Sequence, residues 1–153
     1  MLTTRACRTA GLMVALMVVV GFARTATADD PLPFRGWADE VVTSVQSVEG
    51  GILVTATGGG EATYLGQFTR EATVLIDPVH GTFEGTVVFT AANGDQLFAD
   101  LEGRSTSLAT QVGTYTFTGG TGRFSDASGT AGFETVRSDA IHVALTFEGT
   151  IDF

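Results

Sequence analysis

The chain has no lysine, a single cysteine (Cys7), three prolines and one asparagine (Asn93) in 153 residues. Each shortage excludes a chemistry. A Walker-type phosphate loop needs a lysine followed by Ser or Thr at the opening of a helix, so that class is gone. A lone cysteine makes no intrachain disulfide and no thiolate metal cluster. Asn93 is followed by Gly94 and Asp95, so no glycosylation sequon exists. No apolar run reaches the roughly 20 residues of a membrane-spanning helix. No stretch carries the 3.6-residue periodicity of an amphipathic helix.

What is present divides into two parts. Arg5 and Arg8 form a basic start, residues 11–22 a short apolar run, and Ala26-Thr27-Ala28 a small-residue cleavage pattern. These features predict a secretory signal peptide over residues 1–28, cut after Ala28. The protein is then secreted or periplasmic, with no stable membrane association. Arg5 and Arg8 are not adjacent, which argues against twin-arginine export. Cys7 precedes the apolar run, so it cannot become a lipid-bearing first residue. Cleavage removes Cys7, Arg5, Arg8 and Arg24 but no acidic residue. Five arginines then face 17 acidic residues, a formal charge of −12. So acidic a surface excludes nucleic acid and anionic membranes as partners.

The remaining 125 residues suffice for one domain. Twenty glycines, 11 phenylalanines and abundant threonine point to an all-β fold with tight turns. Residues 29–40, with Pro31 and Pro33, read as an extended leader, and 41–153 as the domain. Strands are predicted at 41–48, 51–57, 61–69, 71–76, 82–91, 97–103, 113–118, 129–136 and 140–151. Gly58-Gly59-Gly60 reads as a turn. Asn93-Gly94 reads as a type I′ hairpin turn, which needs positive φ at both positions. Phe83, Gly85, Val87 and Phe89 alternate with threonine and glutamate; Ile141, Val143, Leu145 and Phe147 repeat the pattern. One apolar and one Thr-rich face, over eight or nine strands, predicts a closed antiparallel β-barrel, filled by side chains or holding one small ligand. Thr82-Phe83-Glu84-Gly85-Thr86 recurs as Thr146-Phe147-Glu148-Gly149-Thr150, a shared packing solution with glycine placed for close approach. Gly119-Gly120-Thr121-Gly122-Arg123-Phe124, before Ala127-Ser128-Gly129, looks like a phosphate loop. A strand rather than a helix follows it, so its glycines read as sharp turns.

Four stretches together resemble a family: 62–69 (Ala-Thr-Tyr-Leu-Gly-Gln-Phe-Thr), 90–97 (Thr-Ala-Ala-Asn-Gly-Asp-Gln-Leu), the Gly119–Phe124 motif with Ala127-Ser128-Gly129, and Glu148-Gly149-Thr150-Ile151. Their order and spacing are similar to those of small exported bacterial proteins with an allene oxide cyclase-like, calycin-type barrel, over roughly residues 49–153. Tyr64 stands where that family is expected to carry His, and no catalytic residue of the plant cyclases aligns here. The resemblance therefore implies the fold and not an activity.

Candidate chemistry is sparse. His80 and His142 lie far apart and lack a third ligand, so no metal is expected; no cofactor is expected either. No Gly-x-Ser-x-Gly elbow is present. Asp100 and Glu102 share one strand face and would form an acid–base pair if inward; Leu97, Ala99 and Leu101 make the better interior. Arg123 either binds an anionic group at a barrel mouth or braces its turn against Asp95 or Asp126, bracing being preferred. Tyr64, Phe68 and Phe89, with Arg123, are the candidate ligand-binding residues, although aromatics on strands are commonly core. The expected function is binding of a small apolar ligand, or service as a surface interaction module. The alternative is a cofactor-free isomerase or cyclase that holds its substrate inside the barrel, which requires a cavity with Tyr64 or an acidic residue pointing inward.

Overall fold

The computed structural model describes residues 30–153; the expected signal peptide lies outside the described residues. Eight antiparallel strands close into a barrel in sequential order. They are β1 (Leu32–Val48), β2 (Gly51–Ala62), β3 (Gly66–Asp77), β4 (Thr82–Ala91), β5 (Gln96–Ser105), β6 (Thr110–Gly120), β7 (Ser128–Arg137) and β8 (His142–Asp152), with one 3-10 turn at Gly122–Phe124. The all-β closed barrel expected from the alternation is what forms.

Three local expectations change. The segment expected as a leader, 29–40, is from Leu32 onward the first half of β1, hydrogen-bonded to β8 from Leu32↔Ile151 to Val41↔His142. Pro33 is tolerated there, and Phe34 and Ala38 enter the core. Gly58-Gly59-Gly60 is not a turn but lies within β2, which runs on to Ala62. A Cβ at Gly60 would fall on the Trp37 carbonyl oxygen. Gly58 and Gly60 thus answer a close approach of β1, and Gly59 one of β3, not a reversal of the chain. The reversal comes at 63–65, where Tyr64 takes φ +65°. At Asn93-Gly94 the chain does reverse, but only Gly94 has positive φ (+89°). The turn closes through Gly94 N–H to the Ala91 carbonyl and Ala91 N–H to the Asp95 carbonyl, both 2.9 Å. A longer loop of this kind needs αL at one position only.

The interior follows the alternation. Val87 and Phe89 on β4, Leu97, Ala99 and Leu101 on β5, and Leu145 and Phe147 on β8 all point inward and are buried. Asp100 and Glu102 face out. In both copies of the repeated pentapeptide the Phe is buried, and a Cβ on the Gly would meet a carbonyl of the neighbouring strand. The outward face carries threonine in register around the barrel: Thr55↔Thr73, Thr73↔Thr86, Thr116↔Thr130 and Thr130↔Thr150 are directly opposed pairs.

Candidate functional site

The two ends of the barrel differ. The loops at 63–65, 92–95 and 121–127 gather at one end, those at 49–50, 78–81, 106–109 and 138–141 at the other. The first end is sealed. The glycine motif bends β6 into the 3-10 turn and drives Phe124 into the core, where it is fully buried with its ring 5.0 Å from that of Phe153. Gly122 (φ +57°) packs on the Asp95 side chain, where any Cβ would collide. Below this plug, aromatic rings fill the barrel. Phe34 lies 5.0 Å from Phe117 and 5.3 Å from Phe147, and Phe68 5.5 Å from Phe89.

Toward the other end the filling is interrupted by a buried polar cluster, beyond which Phe83, Leu101 and Phe133 are again buried. Glu40 points inward from β1 and Arg70 from β3, at 6% and 5% exposure. Gly58 of β2 stands between them in register, paired with Glu40 on one side and Arg70 on the other. A Cβ there would meet the Asp39 carbonyl oxygen and the Glu40 side chain. Its absence lets the two charges meet across a strand. Arg70 Nη1 donates to Glu40 Oε1, and Nη2 donates to Tyr115 Oη at 2.8 Å. The guanidinium carbon stands 5.7 Å from the ring centroids of both Phe89 and Tyr115, a cation–π arrangement. Arg70 Nε has no hydrogen-bond partner and no solvent contact. An unpaired buried donor of this kind costs about 1–3 kcal/mol.

Burial sets the electrostatics. Loss of hydration raises the Glu40 carboxyl above its ordinary range, and this outweighs the pull of Arg70 and its hydrogen bond. Burial also pushes the Tyr115 hydroxyl up to about 12, against the lowering effect of Arg70. Tyr115 therefore stays protonated at neutral pH.

Above the cluster is a cavity of about 70 Å³. Glu40 and Arg70 line it together with apolar Val42, Val54, Val74 and Val143, and Gln111, Thr135 and Arg137 supply polar groups. Its wall is mostly apolar with a few polar and charged groups, and its volume is well below the roughly 300–1,000 Å³ of a typical small-molecule site, so a ligand enters only if the lining moves apart.

The candidate residues read from sequence fall elsewhere, and none of the four lines this cavity. Phe68 and Phe89 are core rings on the sealed side of Arg70. Tyr64 sits outside the sealed end, its ring 5.5 Å from Phe153. Arg123 lies across the Phe124 ring at 4.8 Å, its Nε 3.6 Å from Asp95 Oδ2, the geometry of a brace. The two histidines occupy matching turns at the open end. Asp77 accepts the amides of Val79 and His80, and Asp139 those of Ile141 and His142. Each aspartate also pairs with the Nδ1 of its histidine, at 2.6 and 2.7 Å. These bonds hold both carboxyls low. His80 side-chain bonding leads at Asp77; the backbone amides lead at Asp139, which falls to about 2. Among the described residues no group of three His, Cys, Asp or Glu is placed to hold a metal ion.

Sequence reading missed Glu40, Arg70 and Tyr115. The available signal was phase: Arg70 alternates with Phe68, Ala72 and Val74 on the apolar face of β3, and a charge in that phase is buried.

No protein-family model matches the chain, and no curated protein matches it. Among solved structures it is similar to a pterocarpan synthase dirigent protein, at 12% identity and a TM-score of 0.53, over 81% of this chain and 93% of that one. A likeness at this identity concerns the fold: the chain shares the closed antiparallel β-barrel of a dirigent protein.

Proposed function

We propose that this is an exported barrel that takes a small, largely apolar molecule into its open end. The carrying observation is the cavity over Glu40 and Arg70, in a barrel whose other end is plugged by Phe124. A protein that works only through its outer surface has no need for charges buried halfway down the lumen, where apolar packing is at least as stable. The closed barrel, a fold shared with a pterocarpan synthase dirigent protein, supplies the lumen that this reading requires.

Native mass spectrometry of the chain purified from its producing host tests this. The expected result is a reproducible extra mass that is lost on denaturation and absent from Val74→Trp, which fills the cavity. A bare polypeptide mass, unchanged after incubation with host lipid extract, sinks the proposal and favours a barrel acting through its surface.

A cofactor-free isomerase or cyclase is the second reading, favoured by the inward acid Glu40 and the protonated Tyr115 hydroxyl beside it. Host extract incubated with the wild-type chain and with Glu40→Gln separates the two. An isomer formed only by the wild type establishes catalysis; identical extracts leave a carrier.

A further inference from the structure

β1 is the longest strand and outruns one neighbour. Its pairing with β8 ends at Val41, while its pairing with β2 continues to Val48. The Val42 amide still reaches the Ile141 carbonyl at 2.8 Å. Beyond it, residues 44–48 have a ladder partner on the β2 side alone among the described residues. A shorter one-sided run, Thr118–Gly120, ends β6, whose pairing with β7 stops at Phe117. A barrel closes to remove free edges, and this one leaves a short run of unpaired N–H and C=O groups.

The run lacks the usual protection. Free edges are normally blunted by charge, proline or a bulge. Residues 41–48 (Val-Val-Thr-Ser-Val-Gln-Ser-Val) have no charge and no proline. The irregularity between Val42 and Ser44 comes before the free run and does not interrupt it. Val45 is 64% exposed. The segment is neutral and β-branched, the composition of a strand that pairs readily with its own kind.

Such an edge accepts only another extended strand. We propose that the occupant is a second copy of this chain, its β1 edge laid antiparallel to the first about a two-fold axis. An antiparallel pairing of one segment with itself is self-complementary, so it satisfies both free edges and closes at two. Charge selects the same occupant. Two acidic copies can approach where neither presents a carboxylate, and residues 41–48 are such a place. A basic partner would be drawn instead to the β4–β5 face, where Glu84 stands directly opposite Glu102. Exposed Val41 and Ile141 flank the edge and extend the apolar contact.

A contact of this length is small beside the roughly 1,200 Å² of a stable interface, so a weak association is expected, populated only toward the upper end of a concentration series. Sedimentation velocity over such a series, with the chain made in an exporting host, is the test. The expected result is a discrete species of twice the mass, lost in Val45→Lys and kept in Val79→Lys, which adds the same charge to an exposed turn away from the edge. Amide hydrogen exchange of the unmodified chain gives a reading free of any variant: protection of residues 44–48 should rise with concentration. A wild type that stays monomeric, species growing past two, equal loss in both lysine variants, or exchange at 44–48 independent of concentration would each overturn the proposal.

Discussion

The two ends of this barrel are built from the same alternating strands and solve opposite problems. At the sealed end every inward position is apolar, and the 3-10 turn inserts Phe124 as a plug. At the open end the inward phase of β1 and β3 carries Glu40 and Arg70, and among Phe83, Leu101 and Phe133 above them a cavity of about 70 Å³ is left. One end shows what stability alone selects. The other departs from that solution and carries an unpaired guanidinium N–H among its costs. Polar groups buried against the local trend mark the region where a function accounts for the sequence.

The contrast can be broken at its stable end. Phe124→Ala leaves a void at the plug, and about 3–5 kcal/mol of unfolding free energy should be lost, read by urea denaturation, with any ligand mass retained. A loss of less than about 1 kcal/mol would mean that the sealed end collapses around the gap.

At the open end the signs differ. Arg70→Met leaves Glu40 buried without its partner; because a carboxyl can shed its charge by binding a proton, the loss should be about 2–3 kcal/mol at neutral pH. Adding Glu40→Leu to it should bring stability back to within about 1 kcal/mol of wild type or above it, while abolishing ligand retention. The pH dependence follows from the raised carboxyl. A folded-state value above the ordinary 4.5 makes stability fall as pH rises from there toward the raised value. Arg70→Met should steepen that fall, and the double variant should remove it.

The smallest effect belongs to the exposed turns. Asp139 is held at about 2 against an ordinary 3.8. Its stabilisation is complete above the ordinary value and disappears as pH falls toward 2. Asp139→Asn should lower the thermal midpoint slightly at neutral pH, where the stabilisation is complete, and flatten the acid limb between those values, so that the two profiles converge toward pH 2. An unchanged acid limb would show that the turn forms without the charge.

The barrel was legible because alternation and turn chemistry agree over most of the chain. Phe83 to Phe89 and Val143 to Phe147 declare their faces without reference to distant residues. The site was not legible because it depends on register between strands. Glu40 and Arg70 meet only because Gly58 lies between them. Reading Gly58-Gly59-Gly60 as a turn cut β2 short and concealed that alignment. A glycine that opens space for its neighbours looks in sequence like a glycine that bends its own backbone; only the paired strands separate the two. The same ambiguity led residues 29–40 to be read as a leader: two prolines suggest a free segment, yet Phe34 and Ala38 keep the inward phase of a strand.

The sequential topology also sets the order of assembly. Seven of the eight pairings join strands consecutive in the chain and can form as hairpins while the rest is still being delivered. The eighth joins Leu32 to Ile151, the two ends of the described chain. Its closure entropy must be met before its contacts reward it. A chain delivered from its N-terminus therefore presents β1 first and completes it last. For the whole of that interval the strand's β8 side stays available along its length, and shortening the delay before β8 arrives is the natural way to raise the yield of correctly closed barrels.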